Sequence, residues 1–162
     1  LTYTTKSQLL KATQVATKIW FLHSGYVRWY KEERGHQTTV WLSRPGTVIL
    51  VPSSFLQQVP AGYYLQALTF CQILCLDYAQ VTTIMRENPT FRTMITEIAD
   101  THTTAVQQYA EVMRLDKGEE RMQYLHGMIG SDLYSLNAQV LSSFINMSES
   151  SFYKIRKNSM GT

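Results

Sequence analysis

The sequence predicts an α+β protein: an N-terminal β-roll of the jelly-roll or cupin-like double-stranded β-helix kind, then one long helix, then a helix-turn-helix. Three observations predict it. Residues 1–77 hold short runs rich in Val, Ile, Thr, Tyr and Trp, broken by Gly and Pro, which is how half-buried strands and their turns read. Residues 90–115 carry a strict 4,3 alternation, a helical period. Residues 140–157, VLSSFINMSESSFYKIRK, place Leu141, Ile145, Met147, Phe152 and Ile155 where two short helices packed across a tight turn need apolar groups.

Taken in order, Lys18–Glu32 and Thr38–Leu42 read as strands joined by Glu33-Arg34-Gly35-His36, a loop that suits a hairpin. Pro45-Gly46 introduces a strand over Thr47–Val51, and Tyr63–Leu68 and Thr69–Asp77 complete the set. Many short strands at this spacing suggest a sandwich or jelly-roll barrel. Phe55, Tyr63, Tyr64 and Phe70 could line an aromatic cavity, but aromatic residues at strand spacing are more often core. Asp77-Tyr78-Ala79-Gln80 opens a short helix that stops near Asn88-Pro89, because proline disfavours helix in the residue before it.

The long helix over Thr90–Leu115 carries Phe91, Ile95, Ile98, His102, Ala105, Tyr109 and Val112. So narrow a stripe suits a parallel coiled-coil dimer seam, with His102 as a polar seam residue that fixes register. The competing reading is an amphipathic helix laid on its own β-roll. Asp116, followed three residues later by Glu119, signals a new helix through Tyr124 and Met128. Asn137 can cap the helix that enters the turn, Asn146 tolerates the left-handed conformation at the turn, and Ser148 can cap the last helix. The expected division is 1–89, 90–115 and 116–162.

Composition bounds the function. A chain of 162 residues buries a real core. A net charge of +3 permits nucleic-acid contact without arguing for it, so local clustering must do so. Lys154, Arg156 and Lys157 supply such a cluster, opposed only by Glu149. Cys71 and Cys75 fall on one face of an apolar strand, poorly placed for a disulfide and at a spacing that suits neither zinc nor redox work. Buried thiols in a reducing cytoplasm are expected. No apolar run approaches the roughly 20 residues that span a bilayer, and no signal peptide is visible, so a soluble cytoplasmic protein without membrane contact is expected. The first residues already read as a strand, which predicts that an N-terminal piece precedes Leu1.

His23, His36, His102 and His126 are scattered, with no HxH or HExxH, and there is no nucleophile elbow or P-loop. Neither catalysis nor a cofactor is expected. An iron–sulfur sensor would need a cysteine cluster, and haem ligation through His23 or His36 stays open, although a lone histidine in a β-domain is usually a surface residue.

The residues Leu141, Ser142, Asn146, Met147, Ser148, Ser151, Phe152, Lys154, Ile155 and Arg156 resemble, in register, the C-terminal part of the Crp/Fnr superfamily of transcription regulators. The resemblance extends over the chain. Ser24-Gly25-Tyr26-Val27-Arg28 looks like that family's strand pair, Arg44-Pro45-Gly46 like its Pro-Gly turn, and Ser53-Ser54-Phe55-Leu56 with Pro60 and Ala67-Leu68 like its phosphate-binding cassette. It implies a homodimeric regulator reading an inverted repeat in double-stranded DNA, with a small-molecule effector that the sequence does not identify.

The family places Gly-Glu ahead of the cassette helix and Arg-Ser ten residues after that glutamate. This chain has Leu50-Val51 and Ala61-Gly62 there, so every charged contact to a cyclic nucleotide is gone and the pocket, with Tyr63 and Tyr64, reads as degenerate. Cyclic AMP or cyclic GMP binding is not expected, since its phosphate would be buried unpaired. On DNA, Ser150, Tyr153 and Lys154 are candidates for base edges and Ser148, Ser151, Arg156 and Lys157 for phosphates. Glu149 would accept from a cytosine amine or, better, complement the helix dipole. Relatives with a known half-site carry Arg, Glu and Arg where this chain has Glu149, Ser150 and Lys154, so its site should differ. The β-hairpin wing that follows this unit in many relatives is absent or cut off after Lys157. The alternative is a small-molecule-binding or protein-interaction β-roll whose DNA binding has decayed.

Overall fold

A computed structural model describes residues 1–158; the segment after them, where a wing would begin, lies outside the described residues. Among the described residues, eight strands form two four-stranded antiparallel sheets. The first contains β1 (Thr2–Tyr3), β8 (Cys71–Asp77), β3 (Lys18–Ser24) and β6 (Thr47–Ile49), in that order; the second contains β2 (Gln8–Leu10), β7 (Tyr64–Ala67), β4 (Val27–Glu33) and β5 (His36–Ser43). Leu22, Ile49 and Ile73 of the first sheet and Val27, Trp29 and Leu65 of the second are buried in one core. Cys71 and Cys75 are free thiols, the first buried and the second half-buried against that core.

The stretch 18–32, read in sequence as one strand, is two. The chain leaves the first sheet at Ser24, turns through Gly25 at φ +88° and enters the second at Val27. Apolar content is equally high on both sides of the break, so hydrophobicity alone does not show it. The cassette segment forms a short helix, α1 (Pro52–Gln57), in which the Ser54 hydroxyl accepts from the Ala16 N–H at 2.8 Å and donates to the Val59 carbonyl at 2.6 Å.

The helices follow their caps. α2 (Tyr78–Glu87) starts in a reciprocal capping box between Asp77 and Gln80. Asn88 ends it and caps α3 (Pro89–Val112), with Pro89 in the first turn, where its missing N–H does no harm. α4 (Gly118–Ile129) departs from expectation: its cap is Lys117, with no side-chain bond, and Asp116 lies one residue too early. Gly118 packs close to Met147 and Ile155, so the start of α4 is set by a contact from far along the chain. A 3-10 turn (Gly130–Tyr134), not foreseen from sequence, leads to α5 (Ala138–Phe144), which Asn137 caps by accepting from the Val140 N–H. α6 (Glu149–Asn158) follows.

The expected seam row turns toward its own chain. Phe91, Ile95 and Ile98 pack on the β-roll core, and Tyr109 packs on a second core formed by α4, α5 and α6. Over three heptads the apolar row of a coiled coil and that of a helix lying on its own sheet are the same pattern; here the own-chain contacts occupy it. The second core also takes Tyr26 and Leu42 from the sheets.

Candidate functional site

The α5–α6 pair is set by local chemistry. Leu141, Phe144, Ile145 and Phe152 are fully buried between the two helices, while Met147 and Ile155 are half-buried. Asn146 turns the chain at φ +50°, which asparagine tolerates better than most residues, and its carbonyl accepts from Arg121 Nη1 at 3.0 Å. Ser148 caps α6: its hydroxyl accepts from the Ser151 N–H at 3.2 Å and also bonds the Ser150 and Ser151 hydroxyls.

This leaves Glu149, Ser150, Ser151, Tyr153, Lys154 and Lys157 exposed on α6. Arg156, expected at a phosphate, has its guanidinium over the rings of Tyr153 at 4.8 Å and Phe152 at 5.5 Å. It braces Tyr153 through a cation–π contact. Ser148, assigned to phosphate, is already engaged in the cap.

The pair is tied to the rest of the chain. Tyr109 of α3 stacks on Phe144, with ring centres 4.7 Å apart, and donates its hydroxyl hydrogen to the Phe144 carbonyl. Trp41 meets both rings edge-on, and the β5 amide of Thr39 donates to the Ser143 hydroxyl at 3.0 Å. Farther along α3, His102 stacks on Trp29 at 5.1 Å and meets Trp41 at 5.7 Å. Its Nε2 is buried without a hydrogen-bond partner, and burial lowers its pKa. The Tyr26 hydroxyl donates to Asp132, and Arg44 donates to the Met128 carbonyl at 3.2 Å.

Burial raises the pKa of Tyr109 from 10.0 to about 12, and burial with the Asp132 carboxylate does the same for Tyr26. A pKa raised in the folded state stabilises fully below the unfolded value and is lost as pH climbs through the folded one. Thermal stability should therefore fall between pH 10 and 12, and a Tyr26→Phe/Tyr109→Phe double variant should flatten that slope. An unchanged slope would show that these hydroxyls do not join the two cores as described.

Of the residues read in sequence as an effector pocket, several pack within the chain. Leu50, Val51 and Ala61 are 1 %, 2 % and 5 % exposed and belong to the β-roll core. The N–H groups of Ala61 and Gly62 donate to the carbonyls of Gln14 and Ala12 at 2.9 Å each. Tyr64 stacks on Tyr30 at 4.9 Å, Tyr63 meets Trp29 edge-on, and Phe55 is fully buried. Phe70, grouped with them in sequence, is 54 % exposed because it stands in the turn before β8. His23 and His36 are exposed. Among the described residues no three His, Cys, Asp or Glu side chains gather as a metal site, and no helix is long and apolar enough to cross a membrane.

The family model described as the cyclic nucleotide-binding domain matches residues 1–88. No curated protein matches the sequence. Among solved structures, FixK2 from Bradyrhizobium japonicum is similar at a TM-score of 0.85 and 10% identity, with 98% of this chain and 82% of that one covered. TTHB099, a CRP-family transcriptional regulator from Thermus thermophilus, is similar at 0.77 and 14% identity, covering 98% and 83%. The c-di-GMP-responsive global regulator CLP from Xanthomonas campestris follows at 0.72 and 12%, covering 99% and 86%. At these identities the likeness is one of fold, and it runs the length of this chain.

Proposed function

The chain belongs to the cyclic nucleotide-binding domain family, and from that premise we propose that it is a homodimeric DNA-binding transcription regulator of the Crp/Fnr type that works without cyclic AMP or cyclic GMP. Residues 1–89 serve as the effector part, 90–115 as the dimerisation helix and 116–162 as the helix-turn-helix part. The observation that carries the DNA reading is the outer face of α6, where Ser150, Tyr153, Lys154 and Lys157 stand clear of the core while Ser148 caps the helix and Arg156 holds Tyr153. A helix so mounted can enter a major groove with base-reading side chains at its start and cations near phosphates at its end.

The apolar residues at Leu50, Val51 and Ala61 support the loss of cyclic-nucleotide binding, since their side chains offer a phosphate no cation and the N–H groups of Ala61 and Gly62 are already bonded to the chain. For dimerisation, α3 keeps an outward row of Met94, Thr101, Thr104 and Gln108 beside Ile98 and Ala105. A second α3 laid along that row would add a seam on the side that the β-roll leaves open, and would set two α6 helices about one DNA turn apart.

Selection from a randomised duplex library tests the reading. The expected outcome is an inverted repeat, unchanged when cyclic AMP is added. Lys154→Ala should cost roughly 1–3 kcal/mol on the selected site, whereas Lys157→Ala should weaken all sequences alike and flatten the salt slope. Equal losses on selected and random DNA would reverse those roles. Failure to enrich any duplex would favour the β-roll as a small-molecule or protein-interaction module.

A further inference from the structure

Between the second sheet and the α5–α6 pair lies a cleft of about 850 Å³, whose sheet-side wall the DNA reading leaves unused. Arg28 of β4 projects into it while only 9 % exposed. Its Nε donates to Gln66 Oε1 at 2.9 Å, one Nη donates to Gln37 Oε1, and its guanidinium carbon lies 4.2 Å from the Tyr30 ring centre. Among the described residues the other Nη donates to no protein atom and no carboxylate pairs with Arg28. Glu32 is reached only through Gln37, whose Nε2 donates to it at 2.9 Å. Burial accordingly lowers the Arg28 pKa, with only Tyr30 opposing the shift.

A guanidinium this largely covered, with one Nη left facing the cleft and no counter-charge from the described residues, suits an anion. The lining adds the cations or donors of Lys6, His36 and Thr38, together with the carboxylate of Glu149. The Ser143 hydroxyl, which accepts from the Thr39 amide, keeps its own proton to give. Several donors around a forked guanidinium suit a tetrahedral dianion better than a planar carboxylate, and the volume is that of a metabolite site.

We propose that this cleft binds a phosphoryl group, paired with Arg28 and bridging the β-roll to the start of α6. The regulatory consequence, an occupant that fixes or frees the α5–α6 pair, rests on the DNA reading; the binding itself does not.

Calorimetric titration of the full chain without DNA, at constant ionic strength in chloride, tests it with two probes, inorganic phosphate and glucose 6-phosphate. Saturable binding is expected, weakened by about tenfold or more in Arg28→Gln. Gln37→Glu keeps Arg28 in place and supplies a carboxylate from within, so it should weaken binding similarly and carries the test if Arg28→Gln fails to fold. Tighter binding of the sugar phosphate would make the ligand a metabolite; equal binding would make it free phosphate. Absence of saturable binding in the parent chain, or binding unchanged in both variants, would overturn the site.

Discussion

Phe144→Ala should destabilise the protein by about 3–5 kcal/mol, the range for removing a fully buried aromatic ring that leaves a cavity. Phe144 is 0 % exposed, stacked on Tyr109 and met edge-on by Trp41. Its removal strips the ring shared by a sheet, the long helix and α5. The surrounding groups are rigid aromatics that cannot close the space. Denaturant unfolding followed by tryptophan fluorescence should show the midpoint fall, and duplex affinity should fall with it if α6 reads DNA. A loss below about 1 kcal/mol would show that the α5–α6 pair is not anchored through this ring.

Gly25→Ala should cost about 3 kcal/mol or more, because two separate penalties act at once. At φ +88° any L side chain is strained, and an added Cβ would lie 2.3 Å from the Phe70 carbonyl oxygen, 2.7 Å from Cys71 Sγ and 2.8 Å from Thr69 Oγ1. Backbone cannot yield as a flexible side-chain tip does. The variant should either unfold at markedly lower denaturant or fail to accumulate as folded protein. Near-parental stability would mean that the chain passes between the sheets by a different turn.

What was legible in the sequence was what neighbouring residues decide. Asp77 with Gln80, Asn88 with Pro89, and Asn137, Asn146 and Ser148 set caps and turns with partners within three or four residues, so their spacing reveals them. The buried row Leu141, Ile145 and Phe152 was legible for the same reason. The environment of His102 was not: Trp29 and Trp41 lie some sixty residues away or more, and the periodicity of α3 cannot say whether its partner is a second helix or its own sheet. Nor was the cleft at Arg28 legible, since a lone arginine in a strand carries no sign of being buried without a carboxylate. Arg156 was read as a phosphate contact, and its place over the Tyr153 and Phe152 rings was not legible because charge in sequence does not show a ring waiting beneath it.

Tyr26 and Leu42 sit in the helical core although they belong to the β-roll part of the chain. The helical segment therefore lacks part of its own interior when separated, and residues 116–162 alone should not fold as an autonomous unit. Melting of the two parts should be thermodynamically coupled into a single transition. A strain imposed on either end is then felt at the other through shared packing, and exchanging the helical module for that of a relative would require carrying Tyr26 and Leu42 across with it.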